Sequence, residues 1–191
     1  ARGVASFSFG SGNAAKLLRI PLYLAGRIGT LVVPRGNRWV FGCGAGIGDG
    51  ALALQRHAAA RGHDTLWLTT SEREDRDAAA LGVRTLRKRG LRGWWATARA
   101  GVVVVTHGLG DVNRYAVSGA FVVQLWHGIP LKRIGLDSPA TTQVPAIPGA
   151  PLLRRLVGVL YRRAARRIRV LPAASHRSRG RLESAFALGD G

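Results

Sequence analysis

The chain has 191 residues, enough for one well-filled domain with a terminal appendage, and its 47% hydrophobic content with 26 glycines excludes an intrinsically disordered polymer. With 29 Lys and Arg against 10 Asp and Glu the net charge is +19, so the surface attracts polyanions: nucleic acid, anionic lipid headgroups or a phosphate-rich polymer. A single cysteine, Cys43, excludes an intramolecular disulfide framework and a zinc site of its own and fits a reducing cytoplasm, while no run approaches the roughly 20 apolar residues that span a bilayer.

The absence of Met and the start at Ala1 suggest a segment cut from something longer, and the end at Gly189-Asp190-Gly191 looks equally arbitrary. Ala1 to Gly12 reads as a flexible lead. From Lys16 to Val33 apolar residues are interrupted by cations, a pattern that either packs on the main domain as an amphipathic helix or lies at a membrane surface with Lys16, Arg19 and Arg27 reaching lipid phosphates; Pro21 argues against one straight helix. Residues 1–34 are therefore set apart as a lead and a possible membrane-surface segment, and 35–191 as the main domain.

Within that domain strands and helices alternate. Trp39 to Cys43 reads as a first strand, followed by the glycine run Gly42 to Gly50 and a helix through Ala51 to Ala60. Thr65 to Thr69 is a second strand, and Ser71 caps a helix with Glu72, Glu74 and Asp75 in its first turn, where the helix dipole favours them. Val83 to Leu86 makes a short third strand and Leu91 to Ala100 a helix bearing Trp94 and Trp95. Val102 to Thr106, four valines and a threonine, is the clearest buried strand, and it ends at His107-Gly108. Phe121 to Trp126 follows, stopping at His127, Gly128 and Pro130. A Pro-rich passage, Ser138 to Pro151, leads into a helix over Leu152 to Arg167 carrying Arg154, Arg155, Arg162, Arg163, Arg166 and Arg167. A last strand, Arg169 to Leu171, precedes a helix that begins near Ser175.

Strands apolar on both faces, spaced by helices, predict an α/β fold: a Rossmann-like parallel sheet flanked by helices. Ligands in such sheets gather at the carboxyl ends of the strands, where His107, His127 and the glycine run all fall. The glycine run satisfies a loose G-x-G-x-x-A with Glu72 past the second strand, which admits nucleotide binding, but it equally serves as a turn that lets backbone approach a ligand or a neighbouring helix. His127 should stand at the sheet rim, where an imidazole with a pKa near 6.5 can accept a hydroxyl proton, and Lys132 and Arg133 can steady phosphate oxygens. Together these point to phosphate chemistry at a strand end.

The stretch Gln124-Leu125-Trp126-His127-Gly128-Ile129-Pro130-Leu131-Lys132 resembles the Trp-His-Gly-x-Pro-x-Lys segment of the CDP-glycerol:poly(glycerophosphate) glycerophosphotransferases, the teichoic acid primases and polymerases. Val40-Phe41-Gly42 with Asp49 is similar to that family's Phe-Gly...Asp-Asn opening, with Gly50 in place of the Asn, and Leu66-Trp67-Leu68-Thr69 to its Trp-Ile-Thr strand. The resemblance implies the N-terminal domain of a GT-B fold, the half that presents acceptor and base, with the C-terminal donor domain absent from this chain. On this reading His127 takes the proton of the acceptor's terminal glycerol hydroxyl, attack on the β-phosphate of CDP-glycerol releases CMP, and Trp126, Gly128, Lys132, Arg133, Asp49 and His107 contact substrate. It also implies a lipid-linked polyphosphate acceptor, an anionic membrane surface on the cytoplasmic face, no specific nucleic acid and no metal ligands or certain cofactor, and the segment alone is expected to lack turnover. The alternatives are a GT-B nucleotide-sugar glycosyltransferase domain and a non-catalytic basic module that binds a polyanion or a membrane.

Overall fold

A computed structural model describes residues 20–128, 133–138 and 150–188. Its elements, in chain order, are α1 (Ile20–Val32), β1 (Trp39–Phe41), α2 (Asp49–Ala60), β2 (Thr65–Thr69), α3 (Glu72–Ala80), β3 (Thr85–Arg87), α4 (Gly90–Ala98), β4 (Val102–Val105), β5 (Phe121–Gln124), α5 (Ala150–Ala165), β6 (Ile168–Val170) and α6 (His176–Phe186), with 3-10 turns at Leu109–Asp111 and Gly135–Asp137. Every strand pair is parallel, and the spatial order is β3-β2-β1-β4-β5-β6. The architecture is the α/β, Rossmann-like sheet that the alternation predicts.

Successive strand residues feed opposite faces, as the pleat requires. Val40, Leu66, Leu68, Val103, Val105 and Val122 pack with Ala96 of α4 on one side. Phe41, Trp67, Val104 and Val123 pack with Ala51 and Ala58 of α2 and Ala78 of α3 on the other. Both faces are thus dry. Phe41, Trp67 and Val104 are fully buried, and apolar side chains of this kind each contribute about 1.5–3 kcal/mol of burial. A smaller cluster of Tyr161, Leu182, Ala185 and Phe186 joins α5 to α6 and borders Trp126.

Local chemistry sets the element ends. The Ser71 hydroxyl accepts the Glu74 amide at 3.3 Å, the cap the sequence predicts, and Ser175, near which the sequence predicts the start of a helix, caps α6 through the Ser178 amide at 3.2 Å. Several predicted ends move by a few residues: β1 and β5 stop at Phe41 and Gln124, while α5 stops at Ala165, leaving Arg166 and Arg167 beyond it. Pro21 lies within α1, which continues from Ile20 to Val32 among the described residues, so it does not end the helix there. That helix is docked: Tyr23 meets Tyr115 edge-on at 4.8 Å, and Gly29 leaves room for the Trp94 ring. The lead at Ala1 to Gly12 and most of the Pro-rich passage lie outside the described residues. Among the described residues no helix is long and apolar enough to cross a membrane.

Candidate active site

The strand order reverses between β1 and β4, and at such a switch point the loops leaving the carboxyl ends diverge to open a crevice. The residues after β1, β4 and β5 meet there. Asp111, only 4% exposed, organises the middle loop: one carboxylate oxygen accepts the backbone N–H of Thr106 at 2.9 Å, that of His107 at 2.7 Å and the Thr106 hydroxyl at 3.3 Å. The 3-10 turn Leu109–Asp111 brings that carboxylate back to the strand end. Gly42 is required by the approach, since a Cβ there would collide with the Asp111 carbonyl oxygen, and a Cβ on Gly44 would stand 2.9 Å from Cγ of His107. Lys88, after β3, donates to the Gly110 carbonyl at 2.7 Å, and burial lowers its pKa against the pull of Asp111 and Glu74.

The two histidines hold opposite tautomers when neutral. The Gly44 amide donates to Nδ1 of His107 at 3.2 Å, so that nitrogen carries no proton and Nε2 does. The Thr106 hydroxyl lies 2.8 Å from the same nitrogen. In His127 it is Nδ1 that lies 3.2 Å from the Thr106 carbonyl oxygen, which can only accept, so Nδ1 is protonated and Nε2 is the basic nitrogen. The rings stack face to face with centroids 4.0 Å apart and planes inclined by 12°. Burial first, then the neighbouring His127, lowers the pKa of His107 below its usual 6.5, with Asp111 and Asp49 partly opposing.

Trp126 makes this stack possible. Its backbone is left-handed, with φ of 65°, a conformation that costs a non-glycine residue about 1–2 kcal/mol. The turn ends β5 and folds the following imidazole back towards β4. The indole ring covers His127 at 4.5 Å and is itself held edge-on by Phe186 at 5.5 Å, so packing offsets the strain.

Of the residues expected from sequence, the structure brings together His127, His107, Trp126 and Gly128, the last with a left-handed φ of 135°. Asp49, the first residue of α2, is exposed and near enough to His107 to act on its charge. Arg133 is exposed, without a contact to either histidine among the described residues, and Lys132 lies outside them. The glycine run serves as the turn that lets backbone reach His107, while Glu72 stands exposed in the first turn of α3. Sequence reasoning passed over Asp111, Thr106 and Gly44. The available signal was an acid five residues past a strand-end threonine, across the glycines of His-Gly-Leu-Gly-Asp.

Among solved structures the chain is similar to the wall teichoic acid polymerase TagF. A histidine-to-asparagine variant of that protein, soaked for 30 minutes with CDPG, superposes with a TM-score of 0.62 at 17% identity, covering 92% of this chain and 44% of the other. A histidine-to-alanine variant gives 0.60 at 17% identity over 92% and 43%. The chain thus spans less than half the length of these structures, and the likeness establishes the fold, a Rossmann-like domain of GT-B type. No curated protein matches the chain. The model of the family described as CDP-Glycerol:Poly(glycerophosphate) glycerophosphotransferase matches residues 35–157, a stretch that includes β1 to β5 and both histidines. On that match, the chain belongs to the CDP-glycerol:poly(glycerophosphate) glycerophosphotransferase family.

Proposed function

We propose that this chain is the acceptor-side half of a glycerophosphotransferase, in which His127 is the general base. The observation that carries the reading is the tautomer lock: with Nδ1 tied to the Thr106 carbonyl, Nε2 of His127 is a proton acceptor at the rim of the crevice. Nε2 takes the proton of an acceptor hydroxyl as that oxygen bonds to the β-phosphorus of CDP-glycerol. The bond from that phosphorus to the bridging oxygen breaks, and CMP leaves with the electron pair. The lowering of its pKa keeps His107 neutral near pH 7, and it is proposed to contact substrate beside His127. Asp49, Gly128, Lys132 and Arg133 are proposed to contact substrate with Trp126, and the donor is held by a second domain.

The acceptor in this reading is a lipid-linked polyphosphate met at the anionic cytoplasmic face of a membrane. Support comes from the exposed Arg154, Arg155, Arg162 and Arg163 along α5 and from its exposed Leu152 and Leu156, a surface able to meet headgroups and acyl chains together. The test is CMP release from CDP-glycerol by the transferase carrying this domain and its donor half, with a prenyl-linked acceptor. Removal of a general base by His127→Ala is expected to lower kcat about 10²–10⁴-fold. An unchanged rate would remove His127 from the mechanism.

A further inference from the structure

A second basic constellation lies at the opposite end of the sheet. A cavity of about 380 Å3 is lined by Arg27 and Leu31 of α1, by Arg35, by Gly119 and by Arg167. Arg35 precedes β1, Gly119 precedes β5 and Arg167 precedes β6, so the cavity sits at the amino ends of the strands while both histidines stand at the carboxyl ends. Its volume falls within the roughly 300–1,000 Å3 typical of small-molecule sites.

Three guanidinium groups share this space. Arg35 is fixed: one of its terminal nitrogens donates to the carbonyls of Thr97 at 3.0 Å and Ala100 at 2.6 Å, the other to those of Ala116 at 3.0 Å and of Ser118. Carbonyls are neutral, so its charge is left uncancelled. Among the described residues no carboxylate pairs with Arg27, Arg35 or Arg167. Of the 10 acids in this stretch only Asp190 lies outside the described residues. Burial first, and then the Arg27 charge, lower the pKa of Arg167, with Tyr23 opposing.

We propose that this cavity is a phosphodiester-binding site, separate from the His107 and His127 crevice, in which Arg27 and Arg167 grip the non-bridging oxygens and Arg35 forms the fixed wall. Guanidinium forks match the paired oxygens of a phosphodiester. An apolar rim adjoins them: Leu31 lines the cavity at 77% exposure, and Leu24 and Ile28 are exposed at helical spacing on α1. Such a rim suits the organic substituents of the ester, whether the ester is a phospholipid headgroup or a soluble polyol phosphodiester. The site does not depend on the transferase reading.

The experiment measures binding of two probes to the chain: glycerophosphoglycerol by calorimetry, and phosphatidylglycerol vesicles against phosphatidylcholine vesicles by co-sedimentation. R27Q/R167Q is compared with R56Q/R61Q, which removes the same charge from exposed positions at α2, and circular dichroism checks that both variants are folded. Loss of two charge-assisted contacts is expected to weaken binding by about tenfold or more in R27Q/R167Q, with R56Q/R61Q within about twofold of wild type. Binding of the soluble diester with that dependence identifies a site for the phosphodiester itself, and the same dependence on phosphatidylglycerol vesicles alone identifies a lipid-held one. Equal weakening by the two variants, no weakening by either, or no binding of either probe overturns the proposal.

Discussion

Asp111→Ala removes the acceptor on which the loop after β4 is built. The Thr106 amide lies at a fully buried residue, so no water replaces the lost carboxylate there, and the His107 amide loses its 2.7 Å partner as well. An unsatisfied buried donor costs about 1–3 kcal/mol, so the Thr106 amide sets the expected destabilisation at about 1–3 kcal/mol, with a smaller addition from the half-buried His107. Against the 5–15 kcal/mol typical of a whole domain, that is a large share. Asp111→Asn keeps an oxygen in the same place and should lose about half as much or less. Urea denaturation at pH 7 with matched m-values measures both variants, and histidine NMR reports whether the His107 ring leaves the stack in Asp111→Ala. The reasoning is refuted if Asp111→Ala falls within about 0.5 kcal/mol of wild type, or if the asparagine does as much damage as the alanine.

The pKa of His107 is lowered in the fold, so above about pH 6.5 the ring is neutral in both states and its contribution to stability is complete; as pH falls the unfolded chain binds the proton first, and stability is lost through the folded pKa. NMR titration should find His107 below 6.5 and find it moved upward in His127→Ala, where the second cause is gone but burial remains; a downward move would contradict the stacked geometry. Gln124 is fully buried with neither amide atom partnered among the described residues, so Gln124→Met, which keeps the volume, should stabilise the fold by about 1–3 kcal/mol in urea denaturation. Destabilisation by that substitution would overturn this prediction.

The order of elements was legible because it rests on local chemistry. The valine run of β4 and the capping serine at 71 are read from neighbouring residues alone, and the structure places them as expected. His127 was legible as a rim residue because glycine and proline follow it. What stayed hidden depends on chain closure over long separations. Arg35 bonds carbonyls more than 60 residues away, and nothing beside it in sequence distinguishes it from the other arginines. Arg167 read as one of a stripe on a basic helix, whereas it lies past the end of α5 and turns into a cavity. The contacts that set both histidine tautomers run through main-chain atoms of Gly44 and Thr106, which no side-chain pattern encodes.

The stacked imidazoles also set a proton capacity. Two unit charges 4.0 Å apart repel by about 4 kcal/mol at an effective dielectric near 20, and by less where solvent reaches His127. Charging both rings at once is therefore disfavoured, and half-buried His107, whose pKa is lowered by burial first and then by His127, is the ring that stays neutral. In the proposed transfer, the proton taken by His127 has no second berth within the stack and leaves by the exposed side of that ring. Under the proposed function, clearing that proton is a condition for each new round, which ties turnover to how quickly the outer ring exchanges with buffer.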